Sequence, residues 1–77
     1  MIVIQTYASK DCNEFDILVD DVRVAYYIEH FVHPMTEEVL QTPVFEIYYD
    51  YNEEDDDYTS SLISEEFDDI QEVIDSF

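Results

Sequence analysis

Glycine and tryptophan are absent from this 77-residue chain, and its only basic residues besides two histidines are Lys10 and Arg23. Without glycine, tight turns and left-handed backbone positions fall to Asp, Asn or Ser, and no glycine-rich loop exists to cradle a phosphate. A single cysteine, Cys12, excludes an internal disulfide framework and suits a reducing compartment. No apolar run approaches the roughly 20 residues of a membrane span. The opening MIVIQTY is too short for a signal peptide and lacks its basic start. The expected location is cytoplasmic.

Carboxylates dominate what is present: 21 Asp and Glu set the formal net charge at −19. Val (8), Ile (8), Leu (3) and Phe (5) together make 24 of 77 residues. That share exceeds the roughly 20% typical of disordered acidic chains, so a single folded domain over residues 1–77 is expected even though like charges repel one another. Nucleic acid and anionic lipid would both be repelled by this surface. Its complement is a basic protein.

Hydrophobic periodicity divides the chain. Residues 2–8 (IVIQTYA) are rich in β-branched residues and read as a strand. Residues 14–19 alternate, with Phe15, Ile17 and Val19 on one side. Asp20-Asp21 then offers a two-residue hairpin turn into a second alternating run over 22–32. That turn sets Val19 opposite Val22, Ile17 opposite Val24 and Phe15 opposite Tyr26. Pro34 ends the strand, Thr36 is placed to cap a short helix near residues 36–41, and Thr42-Pro43 closes it. Residues 44–51 give another strand, with Phe45, Ile47 and Tyr49 inward. Beyond it, Leu62, Ile63, Phe67, Ile70, Val73, Ile74 and Phe77 recur at spacings of three and four. This predicts an amphipathic helix capped by Thr59, Ser60 or Ser61. The implied fold is α+β: an antiparallel sheet of three or four strands, with the C-terminal helix packed on one face.

Two acidic surfaces follow from that layout. The first combines the loop acids Glu53, Glu54, Asp55, Asp56 and Asp57 with Glu65, Asp68, Asp69 and Glu72 on the helix, flanked by Tyr51 and Tyr58. Strand parity places the second, Glu14, Asp16, Glu29, Glu46 and Asp50, on the sheet face away from the helix, among Tyr7, Tyr27 and Tyr48. Six like-charged pairs three or four apart (65/68, 65/69, 66/69, 68/72, 69/72 and 72/75) oppose such a helix by about 1–3 kcal/mol in all. Charge kept at that cost is read as charge in use. Alternate residues on a strand face stand roughly 6.6 Å apart and helix neighbours about 5–6 Å apart. Duplex DNA carries a phosphate per about 3.4 Å of axis on each strand, so rows of carboxylates could present comparable charge to a Lys- and Arg-lined groove.

Size, acidity and the segments EEDDD at 53–57, EEFDD at 65–69 and YYDYNEEDDDY at 48–58 make the chain resemble phage-encoded DNA-mimic inhibitors of the anti-CRISPR and anti-restriction type. The resemblance implies an inhibitor that occupies the nucleic-acid channel of a nuclease or CRISPR effector, in the cytoplasm of an infected host cell. It implies neither direct nucleic-acid binding nor a cofactor. Two other readings stand beside it: an acidic antitoxin or regulatory adaptor that binds a basic protein without mimicry, and a divalent-cation binder. An EF-hand read from Asp50 fails, because Asp55 stands where glycine is required and Ser61 where the bidentate Glu belongs. Cys12, His30 and His33 lack a fourth zinc ligand and read as structural. No catalytic constellation is evident, so no enzyme, metal or cofactor is expected. Self-association through an exposed tyrosine-rich face or edge, giving a homodimer, stays open.

Overall fold

The computed structural model describes all 77 residues. Five strands, β1 (Ile2–Ala8), β2 (Cys12–Val19), β3 (Val22–Val32), β4 (Val39–Asn52) and β5 (Asp57–Ser64), precede one helix, α1 (Phe67–Asp75). The strands lie in chain order as one antiparallel meander, with β1 and β5 at its edges. This corrects the expected three or four strands and the expected second helix.

The extra strand arises where the end of the acidic loop, the cap and the first residues of the C-terminal helix were expected. Residues 57–64 alternate between exposed and half-buried positions, a period of two that only a strand produces. Leu62 pairs with Ile47, and Tyr58 with Tyr51. Leu62 and Ile63 satisfy either period on paper, and the open edge of β4 decided between them. Thr59, Ser60 and Ser61 are therefore strand residues, not caps. The helix begins later, at Phe67, with Glu66 in extended conformation (φ −114°, ψ 127°) as its N-cap. The Ser64 hydroxyl accepts the Glu66 N–H at 3.1 Å and donates to Asp69 at 2.5 Å. Glu65 and Glu66 precede the helix, so only the 68/72, 69/72 and 72/75 repulsions act within it. Asp68 and Asp69 occupy its first turn, which the helix dipole favours.

The short helix near 36–41 is replaced by a turn, with Glu37 in the left-handed region (φ 60°), followed directly by β4. Pro43 lies inside that strand rather than ending an excursion. It is tolerated because β5 reaches β4 only at Phe45, opposite Ser64, so no β5 residue pairs with β4 before that point. The β3–β4 register also shifts between His30 and Val32, taking up the additional β4 residues.

The β2–β3 hairpin turns where expected, with Asp20 and Asp21 both at positive φ (52° and 65°), as a type I′ turn requires. Val19 pairs with Val22. A bulge between Ile17 and Leu18 then shifts the ladder by one, so Ile17 meets Ala25 and Phe15 meets Tyr27. A one-residue slip exchanges the faces of a strand. Ala25 and Tyr27 therefore enter the core, and Tyr26 and Ile28 leave it.

The core is thin: Ile17, Ala25, Tyr27 and Ile47 from the sheet meet Ile70 and Ile74 of α1. Phe15, Val24, Phe45, Tyr49, Leu62 and Val73 pack around them. The Phe67 ring sits 5.8 Å from Tyr27 and 5.2 Å from Phe45, fastening the start of the helix to the sheet. The other sheet face has no helix over it.

Candidate functional site

Turns of a meander alternate between the two ends of its sheet. The Asp20-Asp21 turn and the β4–β5 turn at residues 53–56 therefore share one end. The end of the helix reaches it too, since Phe77 lines a depression of about 240 Å³ with Val22, Arg23, Val24, Asp50 and Tyr51. Asp20, Asp21, Glu53, Glu54, Asp55, Asp56 and Asp57 are all exposed there and form an acidic pole. Side chains within the turn hold its shape. Asn52 accepts the Glu54 N–H at 2.9 Å and donates to Asp55 at 3.3 Å. The Tyr51 hydroxyl donates to Asp56, which raises the Tyr51 pKa. Asp56 itself is left-handed (φ 50°). Asp20 and Asp21 were not among the candidate residues; only the alternation of turns brings them in.

Glu65, Asp68, Asp69 and Glu72 are also exposed, but Asp68 and Asp69 lie at the far end of α1 from the pole. A nine-residue helix spans about 13 Å. The single loop-and-helix surface expected from sequence is thus a pole with a ridge leading away from it. Glu53, Glu54, Glu65, Asp68 and Glu72 accept no side-chain hydrogen bond, so their carboxylates are available to a partner.

The uncovered sheet face differs from expectation. Glu14, Asp16, Glu46, Tyr7 and Tyr48 share it, as the register shows. Glu29 and Tyr27 do not. The bulge turns both to the helix side, where Tyr27 is buried and Glu29 accepts a hydrogen bond from Asn13 at 3.0 Å. Burial, then the Glu29 charge, raises the Tyr27 pKa. Asp50 is left-handed (φ 57°) and takes the Ser60 hydroxyl at 2.7 Å.

Tyr26, displaced onto this face, becomes its centre. Its ring stacks on Tyr48 at 4.9 Å and meets Tyr58 edge-on at 5.2 Å, while Tyr58 lies 5.3 Å from Tyr51. The Arg23 guanidinium stands 5.6 Å from the Tyr26 and Tyr58 rings and 3.7 Å from Asp16. Burial raises the Tyr26 pKa although Arg23 opposes it. Glu46 is held at both oxygens, by His30 Nε2 at 3.1 Å and by the Tyr48 hydroxyl at 2.8 Å. That hydrogen bond, with burial and the Glu46 charge behind it, pushes the Tyr48 pKa up to about 12. Four acids of the proposed second surface (Asp16, Glu29, Glu46 and Asp50) therefore have partners within the chain. Strand parity could not reveal this, because neither strand's sequence marks the bulge.

No protein-family model, curated protein or solved structure matches the chain. Function rests on the geometry alone. No three His, Cys, Asp or Glu side chains converge in the manner of a metal site. His33 Nδ1 accepts the backbone N–H groups of Met35 and Thr36, at 3.1 and 3.3 Å. Cys12 and His30 pair across the β2–β3 ladder, but the thiol contacts the Ser9 hydroxyl at 3.9 Å and the imidazole contacts Glu46. No helix is long and apolar enough to cross a membrane.

Proposed function

We propose that this protein is a nucleic-acid-mimicking inhibitor that occludes the basic DNA- or RNA-binding surface of a partner, a CRISPR effector or nuclease, in the cytoplasm of a phage-infected cell. The observation that supports this most is the acidic pole with its helix ridge: exposed carboxylates, several without internal partners, ordered by a hydrogen-bonded turn. Pre-ordering lowers the entropy cost of docking onto fixed Lys and Arg side chains. Inhibition then needs no chemistry. Carboxylates pair with the partner's cations and polynucleotide is excluded. Opposite charge speeds association, and salt weakens it.

The test is charge reversal at acids that bear no structural load. Glu53, Glu54, Glu65 and Glu72 changed together to Lys should leave the circular dichroism spectrum intact and abolish inhibition of nucleic-acid binding across a panel of nucleases and effectors. Parent-like inhibition by the folded quadruple variant would refute the mechanism.

The antitoxin or adaptor reading draws on the Arg23–Tyr26–Tyr48–Tyr58 patch, since aromatic and arginine side chains anchor protein interfaces without phosphate-like charge. Competition separates the two. Excess nonspecific duplex displaces a mimic, whereas it binds alongside an adaptor.

A further inference from the structure

The sheet face away from α1 mixes charge with apolar surface in a way the acidic pole does not. Register sets Glu14 between Tyr7 and Ile28, and Asp16 between Ile4 and Tyr26. Tyr7 and Ile4 are about half exposed, at 52% and 47%. The turn at residues 53–56, by contrast, is acidic throughout and offers charge with no apolar floor among its own residues.

Glu14 and Asp16 line a depression of about 320 Å³ with Thr6, Arg23 and Tyr26. The Glu14 carboxylate has no partner in the chain, since the Thr6 hydroxyl bonds only the Glu14 backbone carbonyl, at 3.4 Å. Asp16 meets Arg23 only at 3.7 Å, and the Arg23 side chain stays 51% exposed. Two carboxylates against one guanidinium leave the depression negative. The chain already places one planar cation at its rim: the Arg23 guanidinium stands 5.6 Å from both the Tyr26 and the Tyr58 ring centroids.

We propose that this face seats an arginine-bearing segment of a basic protein, one arginine entering the depression to pair with Glu14 and Asp16 and to lie against Tyr26. Charge complementarity selects a cation, and the floor selects which one. Alternate residues of a strand face stand roughly 6.6 Å apart, and a guanidinium carries five donors in a planar fork, enough for both carboxylates. Its weakly hydrated plane also stacks on an aromatic ring. A lysine ammonium is a compact, strongly hydrated point charge with no plane to lay on Tyr26. Arg23 competes with the incoming arginine for Asp16 and for the ring. The inference rests on the partner's being basic, as proposed above, and adds which cation it presents. It does not need the acids to imitate a phosphate backbone.

Calorimetry tests it with two capped peptides of equal length and charge, one carrying arginines where the other carries lysines. The arginine peptide should bind the full chain about tenfold more tightly. Glu14→Gln should shrink that ratio with the circular dichroism spectrum unchanged, and Arg23→Gln, which frees Asp16 and Tyr26, should widen it. Amide shifts induced by the arginine peptide should centre on Glu14, Asp16 and Tyr26. Equal binding of the two peptides, a ratio indifferent to both substitutions, or shifts confined to residues 53–57 overturns the proposal. The variant with Glu53, Glu54, Glu65 and Glu72 reversed to Lys should bind both peptides more weakly and keep the ratio, and a ratio lost there would assign arginine preference to the pole instead. The two readings thus fail separately: binding without preference sinks only this one, whereas no binding of either peptide sinks the basic partner itself.

Discussion

Glu46 shows how a single carboxylate can be withdrawn from a surface. His30 and Tyr48 each engage one of its oxygens, so a partner's lysine would have to displace a bond already made. The same contact ties stability to alkaline pH. The Tyr48 phenol ordinarily titrates near 10.0 and is pushed up to about 12 in the folded chain, first by its hydrogen bond to Glu46. A raised folded pKa means the native state holds the proton more tightly. That stabilisation is whole below the unfolded value near 10.0 and lost as pH rises toward about 12. Tyr48→Phe should cost about 1 kcal/mol at neutral pH, after discounting for solvent exposure. It should also flatten the fall in urea midpoint above pH 10, and an unchanged fall would place the titrating group elsewhere.

At the scale of the element, the absence of glycine has a measurable consequence. Four of the five left-handed residues are aspartates, Asp20, Asp21, Asp50 and Asp56, with Glu37 the fifth. Asp and Asn tolerate that region better than other residues with a Cβ, but glycine does so without steric cost. Replacing Asp20 with Asn and Asp21 with Gly supplies the preferred type I′ pair and removes two adjacent like charges. Stability should rise by about 1 kcal/mol, read from the urea midpoint at unchanged slope. The hairpin was legible because Asp20-Asp21 interrupts two alternating runs and Val19 and Val22 flank it. The bulge two residues further was not, since neither Val24 nor Ala25 signals an extra residue. Likewise Leu62 and Ile63, adjacent and apolar, suit a helix or a strand equally. Only the neighbouring β4 edge, with Ile47 opposite Leu62, settled the choice.

Across the whole molecule, a net charge of −19 acts on an assembly with only seven buried residues. Self-repulsion is then a sizeable fraction of the small net stability of such a domain. Raising NaCl should increase the melting temperature steadily as the charges are screened. A flat or falling response would show that the acids are already neutralised by bound cations. The same salt should weaken capture of a basic target, so stability and binding move in opposite directions along one axis.

Composition and order alone determined the acidity, the scarcity of bases, the lone thiol, the first three strands and the turn at Asp20-Asp21. Each of these is a local property, carried by residues adjacent in the chain or by the period of their side chains. Tertiary structure decided the rest. It placed the bulge that exchanged Tyr26 for Tyr27, made one strand of the expected loop end, cap and first helical residues over 57–64, and brought two distant acidic turns to one end of the sheet. Those outcomes depend on which strand lies beside which. A pairing partner supplies hydrogen bonds and a buried face that no single segment contains, and its free energy outweighs the modest preferences of any one stretch.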